Sequence, residues 1–259
     1  MIPAAKTAGF PAHLRDLHRS IVEAFEAHAD PNWAAASQRF HKYEITCYGI
    51  TSASWKKILR QFRKPFRRLC LEERLQLAER LLQSGLLEEA SIAVHLWALS
   101  MDDFTPQHFS HLDRGLDSFN SWGTTDGFCI DVLQPLLREY RKDVLALLRE
   151  WNQSENRWKR RASVVAFVRK IGATGEFVDE ALELCENVIW DKDDMVQKGV
   201  GWALKDSMRG AREKVLEYVK DLRRRGVPST ITLYAIRDLK GAERAAVLAI
   251  RGSHSRRAR

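Results

Sequence analysis

The stretch RLQLAERLLQSG, residues 74–85, sets the fold class. Its apolar residues Leu75, Leu77, Ala78, Leu81 and Leu82 recur at helical spacing and stop at Gly85, so one face is built for burial. The same stripe returns in DVLQPLLREY (131–140), DVLALLREW (143–151), RASVVAFVRKIG (161–172), EALELCENVIW (180–190) and KVLEYVKDLRRRG (214–226). Asp143, Asp179 and Asp193 stand where helices should start, and Gly172 and Gly226 where they should stop. A short carboxylate accepts the first free N–H groups of a helix, and glycine tolerates the left-handed residue that ends one. No alternating apolar–polar run bounded by turn residues competes with this pattern. The chain reads as all-α.

A weak internal period points to the architecture. The segments EASIAVHLW (around Ala90), RASVVAFV (Ala162), QKGVGWAL (Gly199) and TLYAIRDL (Ala235) line up at 36 or 37 residues or twice that, with TTDGFCID (Asp126) midway between the first two. Helix pairs repeating at this length are the signature of a HEAT-like α-solenoid, in which no pair buries its own apolar face and neighbours must stack. The expectation is one HEAT-like repeat domain over residues 1–250, curved with a concave basic groove. The tail RGSHSRRAR (residues 251–259) is basic and contains glycine and serine, and is expected to be disordered.

Composition agrees. Of 259 residues, 14 are glycine and 7 proline, too few for a turn-rich β architecture. The net charge is +8 and the isoelectric point about 9.4, a balance suited to a polyanion. Cys47, Cys70, Cys129 and Cys185 form no C-x-x-C pair and read as reduced, mostly buried thiols. With no signal-like N-terminus and no apolar run of transmembrane length, the expectation is a cytoplasmic protein, nucleoid-associated if bacterial, without membrane contact. The basic charge is clustered: seven cations and no acid between Lys56 and Arg68, then Arg157, Lys159, Arg160 and Arg161, then Arg223, Arg224 and Arg225.

Three elements suggest chemistry. Trp122 lies in the polar stretch NSWGTTDG, and Asp126 follows at i+4, which on a helix would set an indole beside a carboxylate. Trp202 is flanked by Gly199 and Gly201, which permit close approach of a backbone, and Arg161 opens the run RASVVAFV.

The segments RFHKYEITCYGIT (39–51), SWGTTDG (121–127), NRWKRRASVV (156–165) and MVQKGVGWALKD (195–206), in this order and spacing, resemble the motifs of the AlkD-like DNA glycosylases. The resemblance runs from about Phe40 to Asp206. It implies a HEAT-like superhelix that wraps duplex DNA as a monomer and removes cationic N3- or N7-alkylated purines without a cofactor or metal, leaving the base stacked. It also implies that Asp126 is the catalytic carboxylate, that Trp122 and Trp202 are aromatic walls at the lesion, and that Arg161 contacts phosphate and active site. Phe40 and Tyr43 would bind the substrate. The family often has tyrosine where this chain has Phe40, and Tyr43 would supply the phenol if its helix were slightly rotated. Arg63, Lys64, Arg67, Lys159, Arg160, Lys198 and Lys205 are the expected DNA contacts. The competing reading is a non-catalytic HEAT-type scaffold for nucleic acid or protein. A metalloenzyme has only the i,i+3 pair His108 and His111 behind it, and no G-x-G-x-x-G, P-loop or G-x-S-x-G motif occurs.

Overall fold

The apolar stripes become helices in the computed structural model, which describes residues 9–250. The chain divides after Thr124 into two compact units. The first carries α1 (Ala12–Glu26), α2 (Pro31–Phe40), α3 (Ser52–Arg68), α4 (Leu71–Leu82), α5 (Leu87–Ala98) and α6 (Phe109–Leu116). The division falls within α7 (Trp122–Phe128), which runs on through a wider-wound turn at Cys129–Leu133 into α8 (Gln134–Glu139). The second unit continues with α9 (Arg141–Asn152), α10 (Arg157–Val165), α11 (Arg169–Thr174), α12 (Val178–Asn187), α13 (Asp194–Ser207), α14 (Arg212–Arg225), α15 (Ser229–Ala235) and α16 (Gly241–Ala249). Among the described residues there is no strand, only one isolated bridge between Thr46 and Leu86. No described helix is long and apolar enough to cross a membrane. The tail 251–259 lies outside the described residues.

In the first unit α4, which holds most of the stretch 74–85, packs on α1, α5 and α6, and Leu75, Leu77, Ala78 and Leu81 are fully buried. In the second unit α10, α13 and α15 lie side by side, with α9 and α12 packed behind α10 and α13. These are the helices that hold the periodic segments around Ala162, Gly199 and Ala235, so the sequence period is the packing period. Gly201 makes this stacking close: a Cβ there would fall 2.6 Å from Tyr234 Cβ and 2.9 Å from the Ile231 carbonyl oxygen. The backbone that Gly201 admits is therefore that of α15, within the protein. Polar contacts keep the same interval. Asp126 with Arg161, Arg149 with Glu183, Arg157 with Asp193 and Arg169 with Asp206 join residues 34 to 37 apart.

Several sequence-based expectations need correction. Residues 161–172 form two helices, since α10 ends at Val165 and α11 begins at Arg169. Carbonyls freed by this break are met from another repeat, by Gln134 Nε2 donating to Ala166 O at 3.2 Å and Val168 O at 2.9 Å. Gly172 is not the stop. Gly175, at φ +72°, ends α11, and Gly172 is instead pressed against the backbone of Asp206 and Ser207. Gly226 does end α14 in the left-handed region, and Asp193 caps α13 by accepting from Met195 N and Val196 N. Of the cysteines, Cys129 and Cys185 are buried, Cys47 is half-buried and Cys70 is exposed.

Candidate active site

Asp126 sits on α7 with 8% of its surface exposed. A carboxylate so buried needs a counter-charge and filled hydrogen bonds. Arg161, itself buried, supplies both: its Nε donates to Oδ1 at 2.8 Å and its Nη2 to Oδ2 at 2.9 Å. The third nitrogen, Nη1, donates to the Met195 carbonyl. Local capping fixes this geometry at both ends. Asn156 Oδ1 accepts from Trp158 N to start α10, and Asp193 Oδ1 accepts from Met195 N to start α13. Burial raises the Asp126 carboxyl above the ordinary aspartate range, while the charge and hydrogen bonds of Arg161 and the charge of Arg169 oppose that rise. Two guanidinium N–H groups aimed at the two oxygens favour the ionised form, as in other bidentate pairs. Directly below, the buried Cys129 thiol is pushed well up by burial and by the Asp126 charge, so it is an inert packing group. The wide turn at Cys129–Leu133 follows immediately, a backbone feature frequent beside functional residues.

Trp202 on α13 is half-buried, and the Arg169 guanidinium lies over its ring, 5.8 Å from the centroid. Arg169 N donates to Asp206 Oδ2 at 2.6 Å.

In the first unit Trp122 is 39% exposed and stacks on His41, with ring centroids 5.6 Å apart and planes at 22°. Trp122 N donates to Tyr43 Oη at 3.1 Å, and the Tyr43 and His41 rings meet edge to face at 5.3 Å. His41 Nδ1 faces the Ser37 carbonyl at 2.9 Å, so Nδ1 carries the proton. Nε2 lies 3.4 Å from Ser121 Oγ. The loop that carries them is pinned by Gln38, which donates to Tyr43 O and accepts from Ile45 N. Tyr43 thus lies beyond the end of α2, so no rotation of a helix brings it into the place of Phe40, and its hydroxyl oxygen accepts from Trp122 N. Phe40 is 81% exposed.

The expected phosphate contacts divide into two kinds. Arg63, Lys64 and Arg67 are exposed on α3, and their side chains have no hydrogen-bond or ion-pair partner among the described residues. With Arg60, Leu59, His95 and Leu99, two of them, Arg63 and Arg67, line a cavity of about 290 Å³. In the second unit the expected contacts are buried or already paired within the chain. Lys159 is buried. Arg160 is locked by Asp191 at 2.6 Å and by the carbonyls of Ser154 and Glu155. Lys198 pairs with Asp194 at 2.7 Å, and Lys205 with Asp206 at 3.1 Å and Asp238 at 3.6 Å. His108 turns back on Thr105, and His111 pairs with Glu79 at 2.7 Å.

Sequence reasoning missed two residues, His41 and Arg169. His41 stands inside the RFHKY motif between two aromatics, which was a usable signal. Arg169 gives none, because its position depends on a helix break.

No curated protein matches this chain. Among solved structures, a predicted DNA alkylation repair enzyme from Enterococcus faecalis superposes with a TM-score of 0.71 at 16% identity, covering 83% of this chain and 98% of that one. The fold is therefore shared with that protein. A family model described as DNA alkylation repair enzyme matches residues 21–239, across the division after Thr124 and well beyond the four motifs. The chain belongs to the family of DNA alkylation repair enzymes.

Proposed function

We propose that the protein is a DNA glycosylase that removes cationic N3- or N7-alkylated purines from duplex DNA. The observation that carries this reading is the buried Asp126 carboxylate held at both oxygens by Arg161. Alkylation at N3 or N7 leaves the purine positively charged and ready to depart, so strong acid catalysis is unnecessary. The enzyme has to favour the cationic sugar that develops as the N-glycosidic bond breaks. A preorganised carboxylate does this electrostatically, most effectively where water is excluded. Arg161 keeps that carboxylate ionised in spite of its burial and fixes its direction. Asp126 also orients the water that attacks C1′.

The exposed face of Trp122 and the half-buried face of Trp202 serve the charged nucleotide by cation–π attraction, about 0.5–2 kcal/mol for each. A ten-thousand-fold acceleration needs about 5.4 kcal/mol, so Asp126 supplies the larger part. Tyr43 and His41 hold Trp122 rather than touch the lesion. That both indoles keep accessible faces supports a mode in which the base stays stacked and the enzyme works on sugar and phosphate. The exposed cations of α3 meet phosphates of the duplex. The protein acts as an intracellular monomer, and residues 1–250 form one functional domain.

The test is release of 7-methylguanine and 3-methyladenine from methylated duplex by wild type and Asp126→Asn. Loss of about 10²–10³-fold is expected, the size seen when a preorganised electrostatic contact is removed. Equal release by both would remove Asp126 from the chemistry. No release by either would favour the scaffold reading.

A further inference from the structure

Arg161, which the sequence resemblance made a phosphate contact, is buried and directs all three of its nitrogens inward: Nε and Nη2 donate to Asp126, and Nη1 donates to Met195 O. Arg169 is in the opposite condition. It is exposed, and its guanidinium makes no hydrogen bond or ion pair among the described residues. It lies over the Trp202 ring and close enough to Asp126 to lower that carboxyl by its charge.

Its backbone is unusual as well. At φ +55° it is the one described residue other than glycine in the left-handed region, where a Cβ crowds the neighbouring carbonyl. Such a conformation persists only when the surroundings impose it, and it clusters at functional positions. Here they do impose it. The Arg169 N–H is held by Asp206 at 2.6 Å, and Asp206 is 1% exposed. The carbonyls before it are held by Gln134, and α11 rests directly on α13 at Gly172. Glycine would adopt this turn without strain. An arginine here is explained by its side chain, since its backbone is a burden.

We propose that Arg169 is the phosphate-contact residue of the site, engaging the DNA backbone beside the lesion from the edge of Trp202. A planar guanidinium matches two phosphate oxygens at once, and the indole beneath it keeps the plane presented. The side chain that leaves this left-handed turn lies over the Trp202 ring, and its charge reaches Asp126. This inference rests on the glycosylase reading and deepens it by naming the residue that grips the substrate backbone.

The test is equilibrium binding of a labelled duplex carrying a tetrahydrofuran abasic analogue, across about 50 to 200 mM salt. Wild type, Arg169→Gly and Arg169→Lys are compared, with a thermal melt of each. Arg169→Gly is expected to bind about tenfold more weakly, to lower the salt slope by about 0.9, and to melt at or above wild type because strain is relieved. Arg169→Lys is expected to keep the slope and lose part of the affinity, since the charge remains without the bidentate geometry. An unchanged salt slope in Arg169→Gly would overturn the assignment, as would a melt well below wild type, which marks a structural role. Failure of wild type to bind the duplex would instead bring down the glycosylase reading itself, and this assignment with it.

Discussion

Helix α3 and the helices of the second unit are both rich in cations, but α3 leaves its side chains bare, whereas many arginines of the second unit, Arg169 apart, are paired. On α3, the side chains of Lys56, Lys57, Arg60, Arg63, Lys64, Arg67 and Arg68 have no hydrogen-bond or ion-pair partner among the described residues. Several of them are like-charge neighbours at i,i+4, each pair costing about 0.2–0.5 kcal/mol. The helix holds because Ile58, Phe62 and Phe66 bury its other face. In the second unit, Arg141, Arg149, Arg157, Arg160 and Arg225 each reach a carboxylate 31 to 39 residues away, about one repeat. Most of these pairs are half-exposed and worth about 0–1 kcal/mol apiece, so they align repeat with repeat more than they add stability. Charge spent on register is unavailable to a ligand. Charge left bare at a cost in repulsion is relieved by a polyanion.

The largest break in this comparison comes from the buried pair of Arg161 and Asp126. Arg161→Ala leaves the Asp126 carboxylate buried without its partner, and a loss of about 3–5 kcal/mol in unfolding free energy is expected. With the guanidinium gone, burial acts on the carboxyl against the Arg169 charge only, and its folded pKa rises further above the unfolded value. The folded state then holds the proton more tightly, so the variant loses more stability as pH rises through that range. Chemical denaturation at several pH values checks both. A loss within about 0.5 kcal/mol, the range of surface substitutions, would place this pair with the half-exposed ones.

A smaller effect on stability, but a large one on binding, is expected from α3. Replacing Arg60, Arg63 and Arg67 together by alanine removes three unmatched cations around one cavity. The salt slope of duplex binding should fall by about 2.7, at about 0.9 for each phosphate contact. The melting temperature should hold or rise, because like charges have been taken apart. An unchanged slope would remove this face from the DNA footprint and leave its bare charge unexplained.

How far the sequence could be read follows from the same contrast. The helices and their period were legible because apolar spacing and small residues are local signals, and the packing of α10, α13 and α15 repeats what the spacing predicted. The break before Arg169 was not legible. Residues 161–172 hold no proline and no glycine before Gly172. What bends the chain is Gln134 and Asp206 from other repeats, one of them 37 residues away. The motifs brought out Asp126, Trp122, Trp202 and Arg161, but not the difference between the arginines, since donors are turned inward by partners that only the fold brings near. Counting charges gave the total. It could not tell Arg63, which is bare, from Arg160, which is chelated by Asp191 and two carbonyls.

The finest test of matched against bare charge is a lysine that looks available and is not. Lys198 is about a third exposed but lies 2.7 Å from Asp194, at i,i+4 on α13. To meet a phosphate it has to leave that carboxylate, so the gain from the new contact is offset by the loss of the old. Lys198→Ala is therefore expected to change the salt slope of duplex binding by well under the value of about 0.9 for a free cation, and stability by no more than about 0.5 kcal/mol. Asp194→Asn makes the complementary change: it releases the lysine, and the slope should rise. If Lys198→Ala alone lowers the slope by a full contact, then pairing within a helix does not withhold a charge from DNA. The distinction between the two regions would then rest on the longer-range pairs alone.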